Sequence, residues 1–243
     1  MTAPVKARLH VTADLAPDQA VLLPADQVHY LRHVLRLGPG EAVALFNGRD
    51  GEYRARIDRV DKKTCSLRVE AQLRPFRPAA DIWLCFAPIR QGRIELIVEK
   101  ATELGAGRLV PVITRRTQVG RVNTDRLAAH AREAAEQCER LDLPEIAPAV
   151  SLEKLLAEWP PERQLFFCRE REAAPALLVA AGQVADTAPV AILTGPEGGF
   201  APEEMEQIGR LPQAVPVSLG PAILRAETAA LAALAILQAV RQK

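Results

Sequence analysis

The chain contains, at residues 190–200, the stretch VAILTGPEGGF, in which an apolar strand runs directly into a loop with three glycines. Because glycine has no Cβ, such a loop can adopt positive φ angles and bring backbone amides close to a ligand. The stretch lacks both the GxGxxG spacing of a dinucleotide-binding turn and the lysine of a P-loop. It predicts a ligand-binding loop after a buried strand, and a purely structural tight turn is the alternative.

A second stretch with the same organisation, VPVSLGPAILRAETAA, occupies residues 215–230. It predicts a strand up to Leu219, a turn at Gly220, and a long helix that starts near Pro221. Arg225 and Glu227 interrupt this apolar segment, and an unpaired charge is costly to bury. The two residues therefore predict either a salt bridge or a polar pair at the mouth of a site. Ligands of open α/β sheets bind at the carboxyl ends of strands, so both loops belong to the predicted site.

The rest of the chain indicates two domains with different patterns. Strands and helices alternate from residue 82 onward, which is typical of a mostly parallel sheet covered by helices on both faces. Residues 1–73 instead alternate polar and apolar side chains, with turn signals such as Asn47-Gly48, and predict a small antiparallel β-barrel. Two prolines, Pro75 and Pro78, mark the transition. We therefore expect an N-terminal domain at 1–73 and an α/β domain at 74–243.

Composition narrows the class of protein. Of 243 residues, 49% are hydrophobic and 25% charged, which indicates a globular chain that needs no disulfide or metal for stability. The four cysteines form no CxxC motif, so no metal site is predicted. No signal peptide and no membrane-length apolar run is recognised, which favours a cytoplasmic location. Residues 1–140 carry 23 basic and 17 acidic groups, a balance that suits an anionic partner but also ordinary solvated faces.

The two glycine-containing stretches together resemble the RsmE family, the uridine-N3 methyltransferases of bacterial small-subunit ribosomal RNA, within the SPOUT superfamily. Three further motifs match in the family's order, namely KATELG at 100–105, EAAEQCER at 133–140 and HVLRLGPG at 33–40. The resemblance covers essentially the whole chain. It implies an α/β class fold, with a C-terminal SPOUT trefoil-knot methyltransferase domain preceded by a small PUA-like β-barrel that binds RNA.

The resemblance implies S-adenosylmethionine as the cofactor and no metal. The cofactor contacts carried over from the family are Leu193, Thr194, Gly195, Glu197, Gly198, Gly199, Ser218, Leu219, Gly220, Ile223, Leu224 and Arg225. Methyl transfer to uridine N3 builds up charge on the flanking carbonyl groups, and a positioned arginine stabilises such charge. We expect Arg225 and Arg116 to orient the substrate or to stabilise this charge. The proton acceptor is not identified, and water is one option.

The resemblance also implies the partners, which are 16S ribosomal RNA in the 30S subunit and a second copy of the chain in a homodimer. The predicted RNA contacts are Arg8, Arg32, Arg36, Arg90, Arg115, Arg116, Glu133, Gln137 and Arg140. Three of them, Glu133, Gln137 and Arg140, stand at helical spacing and could equally form a solvated stripe.

Two other functions remain open at this point. One is a SPOUT methyltransferase that acts on transfer RNA or on 23S ribosomal RNA. The other is an RNA-binding or assembly module that has the same fold and no catalytic activity. The sequence does not distinguish naked RNA from an assembled 30S particle as the substrate.

Overall fold

The computed structural model describes residues 4–90, 92–169 and 174–241, which divide into two compact units. The first unit comprises the described residues up to Pro78 together with Ala135–Leu143, and the second comprises the remainder. The division at Pro78 lies five residues after the boundary that we predict at 73/74. No pattern in the sequence indicates that Ala135–Leu143 belongs to the first unit.

The first unit is built on a five-stranded sheet. Its strands lie in the order β1-β3-β4-β5-β2, with bounds β1 Val5–His10, β2 Ala20–Leu22, β3 Ala42–Phe46, β4 Glu52–Val60 and β5 Cys65–Arg74. We predicted only antiparallel pairing, but β1 pairs with β3 in parallel. The long connection between these two strands, which includes β2 and a helix, gives the chain room for the crossover that parallel pairing requires.

A helical segment of the first unit leads into the HVLRLGPG motif. The helix α1 spans Ala25–His29 and continues as one π-helical turn at Tyr30–Val34. Its buried residues include Val28 and Leu31, which join the apolar core of the unit. The helical segment ends before Arg36, which has a φ of +56°.

The second unit is built on a wholly parallel sheet, as predicted. Its strands lie in the order β12-β10-β11-β6-β7-β8, and β9 pairs with β7. The bounds are β6 Ile82–Phe86, α2 Arg93–Glu103, β7 Arg108–Ile113, α3 Thr124–Gln137, β8 Glu145–Ile146, β9 Val150–Ser151, α4 Leu152–Ala157, β10 Gln164–Cys168, α5 Leu177–Ala181, β11 Val190–Thr194, α6 Pro202–Gly209, β12 Ala214–Val217 and α7 Ala226–Arg241.

Helices cover both faces of this sheet. Successive strand residues point to opposite faces, and each face packs with helices in its own apolar cluster. In β11, Ile192 packs in the cluster that contains α2 and α7, whereas Ala191 and Leu193 pack in the cluster that contains α4 and α6. The strand order does not test the implied trefoil knot, which stays a prediction.

The start of the last helix corrects the sequence prediction. The helix α7 begins at Ala226, not near Pro221. None of the residues 221–225 is buried, and Ala226 is the first residue of the segment that packs in the core. Without an apolar face to bury, residues 221–225 gain nothing from helical structure, because tertiary packing supplies most helical stability. They form an irregular segment after Gly220 instead.

Arg8 links several segments of the first unit. Its Nε donates to Glu52 Oε1 at 2.6 Å, and its two Nη atoms donate to the carbonyl oxygens of Ala135, Glu136 and Arg140 at 2.9–3.0 Å. The side chain is only 11% exposed. Four of the five N–H donors of this guanidinium are thus engaged within the unit, and its predicted contact with RNA stays a prediction.

Glu52 shows the electrostatic consequence of this contact. Burial alone would raise the pKa of Glu52, but hydrogen bonds from Arg74 and Arg8 outweigh burial and hold that pKa below its ordinary value. A carboxyl with a lowered pKa in the folded state stabilises the fold above its unfolded pKa. This contribution is lost as the pH falls through the acid range.

We expect Arg8→Ala to lower the free energy of unfolding by about 3 kcal/mol, because it leaves Glu52 with a buried, half-compensated charge. Chemical denaturation followed by circular dichroism measures this change. The matched control is Arg49→Ala, which removes an exposed ion pair to Asp14 and should cost about 0.5 kcal/mol or less. Equal losses in the two variants would show that the Arg8 contacts are not stabilising.

Candidate functional site

A cavity of about 1110 Å³ lies at one edge of the parallel sheet in the second unit. Its lining includes residues that follow the carboxyl ends of four strands, β7, β10, β11 and β12. Because all strands of this sheet are parallel, their carboxyl ends meet at the same edge. The two loops singled out in the sequence therefore lie side by side around one cavity.

Eleven of the twelve predicted cofactor contacts line this cavity. They are Thr194, Gly195, Glu197, Gly198, Gly199, Ser218, Leu219, Gly220, Ile223, Leu224 and Arg225. Leu193 is the exception, since it is 0% exposed and packs in the core with α4 and α6. Side chains alternate along a strand, and that of Leu193 lies on the face of β11 that these helices cover. Its contact with the cofactor stays a prediction.

The loop after β11 is a tight turn as well as part of the cavity wall. Gly199 has a φ of +67°, and its N–H donates to the carbonyl oxygen of Pro196 at 2.8 Å. At Gly195, a Cβ would lie only 3.2 Å from the ring of Phe200. Glycine is therefore favoured at 199 by the backbone conformation, and a side chain at 195 would crowd the Phe200 ring.

The loop after β12 is anchored at its beginning. Ser218 donates its N–H to the carbonyl oxygen of Pro175 and accepts from the N–H of Leu177, at 2.9 and 3.0 Å. Its Oγ accepts from the N–H of Gly220 at 3.2 Å, and Gly220 has a φ of +121°. This conformation is essentially restricted to glycine, so the chain can turn here into the irregular residues 221–225.

Three backbone donors at the cavity make no hydrogen bond within the described part of the chain. They are the N–H groups of Gly195, Gly198 and Leu219. The two loops thus present hydrogen-bond donors to whatever occupies the cavity.

Charged side chains also line the cavity. They are Arg116, Arg169, Glu197 and Arg225. Arg225 is exposed, and no hydrogen bond or ion pair to another described residue engages its guanidinium. Glu227, which the sequence grouped with it, instead forms an ion pair with Arg93 across 3.4 Å. For Arg225 and Glu227 we predicted either a salt bridge or a polar pair at the mouth of the site. In the structure, Glu227 forms a salt bridge and Arg225 lines the cavity.

Sequence reasoning missed several residues of the cavity wall. They include Cys168, Arg169, Ala174, Phe200, Met205 and Ala229. Cys168 and Arg169 follow directly from the end of β10, so the carboxyl-end rule that located the other loops would have found them. Burial raises the pKa of the Cys168 thiol to about 12. This thiol is therefore protonated at neutral pH and is not an activated nucleophile.

The predicted RNA contacts fall into three groups. Arg32, Arg36 and Gln137 belong to the first unit, and Arg90, Arg115 and Glu133 to the second, and all six are at least partly exposed. Arg116 lines the cavity and donates to the carbonyl oxygens of Gly198 and Phe200. Arg140, like Arg8, has a largely buried guanidinium, which pairs with Asp142 at 2.8 Å, and its predicted contact with RNA stays a prediction.

No cluster of three or more His, Cys, Asp or Glu side chains suited to a metal ion occurs in residues 4–90, 92–169 and 174–241. In the same part of the chain, no helix has the length and apolar character to span a bilayer.

Comparison with known proteins connects this site to methyltransferases. A family model described as an RNA methyltransferase domain matches residues 77–238, and one described as an RNA methyltransferase PUA domain matches residues 23–70. The protein of Rickettsia conorii named ribosomal RNA small subunit methyltransferase E is 34% identical over 94% of this chain and 93% of its own length. The protein of the same name from a Synechocystis strain is 32% identical over 96% of this chain and 77% of its own.

Solved structures are similar over nearly the full length of the chain. A Legionella pneumophila protein in complex with its bound cofactor SAM is 31% identical, with a TM-score of 0.86 over 96% of this chain and 97% of that one. The ribosomal RNA small subunit methyltransferase E of Neisseria gonorrhoeae, bound to S-adenosyl methionine, is 27% identical and matches with the same TM-score and coverage.

We expect Gly220→Ala to lower the free energy of unfolding by about 1–3 kcal/mol, because a Cβ strains the backbone at a φ of +121°. Thermal denaturation measures the effect. The control is Gly209→Ala at the end of α6, where the added Cβ meets open space and φ is not positive, so stability should be unchanged or rise by up to about 1 kcal/mol. If both variants melt like the wild type, the turn at 220 is not strained by a side chain.

Proposed function

The chain belongs to the ribosomal RNA small subunit methyltransferase E family, and from that membership we propose that it methylates N3 of a specific uridine in 16S ribosomal RNA, with S-adenosylmethionine as the methyl donor. The observation that carries this proposal is the cavity formed jointly by the loops after β11 and β12, with unpartnered backbone N–H groups.

The cavity suits a nucleoside cofactor. Its volume of about 1110 Å³ is ample for a ligand of this size. The backbone N–H groups of Gly195, Gly198 and Leu219 would donate hydrogen bonds to the cofactor, and the glycines would allow the cofactor to approach the main chain closely. The arginines at the wall offer partners for a carboxylate. When bound, S-adenosylmethionine supplies an electrophilic methyl group on its sulfonium.

The choice of uridine N3 rests on family membership and on the charge at the cavity mouth. N3 lies on the Watson–Crick edge, so the target base must be unpaired or extruded before it can react. As N3 loses its proton, negative charge spreads onto the two neighbouring carbonyl oxygens. The guanidinium of Arg225, which has no partner among the described residues, is the group that we assign to stabilise this charge and to orient the base.

RNA binding is assigned to exposed basic side chains in both units. Arg32 and Arg36 of the first unit and Arg90 and Arg115 of the second are the contacts that we propose for the phosphate backbone, which gives affinity without sequence information. Glu133 and Gln137 lie on the exposed side of α3 and would face the RNA as polar contacts.

We also propose that the active form is a homodimer and that it acts in the cytoplasm, on the RNA of the 30S subunit. The second unit exposes three large apolar side chains, Leu178, Val179 and Ile223, each by more than half. Ile223 also lines the cavity, so a second copy that covered these side chains would lie beside the site. Exposed apolar groups of this kind are typical of interaction surfaces.

A methylation assay tests the proposal directly. The purified chain is incubated with deuterium-labelled S-adenosylmethionine and with naked 16S RNA, assembled 30S particles, 23S RNA or bulk transfer RNA. The RNA is then digested to nucleosides and analysed by mass spectrometry. We expect labelled 3-methyluridine only with 16S RNA or 30S particles. Label in 23S or transfer RNA would identify another substrate, and RNA binding without cofactor binding would identify a non-enzymatic module.

We expect Arg225→Ala to lower kcat by roughly 100-fold, the typical cost of removing one transition-state donor. The KM for S-adenosylmethionine should change much less, because main-chain groups dominate cofactor binding. The control is Arg210→Ala, which removes an exposed arginine that directly follows α6, pairs with Glu206 and is not part of the cavity lining. A raised KM with an unchanged kcat would place Arg225 in cofactor binding alone.

A further inference from the structure

We propose that the adjacent residues Arg115 and Arg116 have separate tasks: Arg116 positions the cofactor loop, whereas Arg115 contacts RNA phosphate. The inference rests on the proposed function and refines it, because the sequence assigned both arginines to RNA and Arg116 also to the substrate. The two arginines carry the same charge and are adjacent in the sequence, so only their surroundings distinguish them.

Arg116 is committed to the loop after β11. Its Nη1 donates to the carbonyl oxygen of Gly198 at 2.7 Å and to that of Phe200 at 3.3 Å. These two carbonyls lie on either side of Gly199, the residue with positive φ. One cation thus fixes the direction of both peptide groups around the turn, and charge-assisted hydrogen bonds of this kind are stronger than neutral ones.

The stem of Arg116 lies close to Gly198. A Cβ at position 198 would lie 3.4 Å from Arg116 Cδ and 3.6 Å from its Cβ, which is ordinary van der Waals contact. The arginine stem and the loop after β11 therefore lie within packing distance of each other, in addition to the two hydrogen bonds.

Glu204 provides a matching contact of opposite charge. Its Oε1 accepts from the N–H of Arg115 at 2.7 Å, and its Oε2 accepts from the N–H of Ala201 at 2.8 Å. Only 9% of this residue is exposed. Arg116 and Glu204 together form a loop staple, in which a cation holds two carbonyls and a carboxylate holds two N–H groups. The staple joins the segment after β7 to the segment after β11.

The segment after β7 is itself rigid enough to serve as an anchor. The N–H of Thr114 donates to Thr117 Oγ1 at 2.9 Å, and the two hydroxyls lie 2.9 Å apart. Thr114 is buried. A glycine-rich loop has high conformational entropy when free, so an anchored staple reduces the ordering that cofactor binding must otherwise impose.

Arg115, in contrast, lies at the surface. Its side chain is 68% exposed, and that of Glu203, with which it forms an ion pair at 3.0 Å, is 64% exposed. Such surface pairs contribute little stability and are easily exchanged. A phosphate group can therefore replace Glu203 as the partner of Arg115, whereas nothing can replace the carbonyl partners of Arg116 without moving the cofactor loop.

Two binding measurements on the full-length chain separate these tasks. Calorimetry gives the affinity for S-adenosylmethionine, and binding of a 16S RNA transcript over a series of salt concentrations gives the slope of log K against log salt. We expect Arg116→Gln to weaken cofactor affinity at least tenfold and to leave the salt slope unchanged. We expect Arg115→Gln to leave cofactor affinity within twofold and to reduce the slope by about 0.7–0.9, the value for one lost phosphate contact.

Three further variants keep the test decisive. Arg116→Lys retains the charge but not the planar fork, so it should also weaken cofactor binding if positioning is the task. Glu204→Gln acts on the other half of the staple and should weaken cofactor binding without changing the salt slope. Arg210→Gln removes an exposed positive charge from α6 and should change neither quantity.

The opposite pattern overturns the proposal. A reduced salt slope with intact cofactor affinity in Arg116→Gln would make Arg116 an RNA contact, and an unchanged slope in Arg115→Gln would remove Arg115 from the RNA interface. Thermal melting identifies any variant that fails to fold, in which case Arg116→Lys and Glu204→Gln decide the outcome. A wild-type chain that binds no cofactor would refute the proposed function itself, which is a distinct result.

Discussion

The site depends on the parallel hydrogen-bonded pairing of β10 with β11 and β12, and of β11 with β6. Parallel pairing fixes which ends of the strands lie together, so loops separated by more than 20 residues in the chain meet at one edge. An antiparallel pairing of β12 would carry residues 218–225 to the opposite edge and leave the loop after β11 alone. The cavity is thus a property of the sheet, and the loops only shape it.

Main-chain groups and side chains have different roles within the site. Gly195, Gly198 and Leu219, whose N–H groups have no acceptor among the described residues, line the cavity. The carbonyls of Gly198 and Phe200 accept hydrogen bonds from Arg116. A loop whose carbonyls are engaged by a cation keeps its N–H groups available for an acceptor-rich ligand. In the proposed arrangement, the loop staple maintains this difference.

The two loops, the parallel sheet and the change of pattern between the two units could be predicted from short stretches of sequence. Each follows from hydrophobic periodicity or from the positions of glycines over a few residues. The features that the sequence did not predict depend on packing between distant segments. The start of α7 at Ala226 and the parallel pairing of β1 with β3 both follow from which surfaces the core covers. Cys168 and Arg169 were missed because the residues after β10 carry no glycine signal.

Arginine illustrates why net charge is a poor guide to an interface. The excess of basic residues before position 140 favoured an anionic partner, yet Arg8, Arg116 and Arg140 place their donors on protein carbonyls or on carboxylates. The planar guanidinium suits such internal contacts as well as it suits phosphate, since both present oxygen acceptors in a plane. A chain rich in arginine therefore contains two populations of the same residue. Only burial and hydrogen-bond partners, not charge or sequence position, separate the arginines that hold the fold from those that can reach RNA.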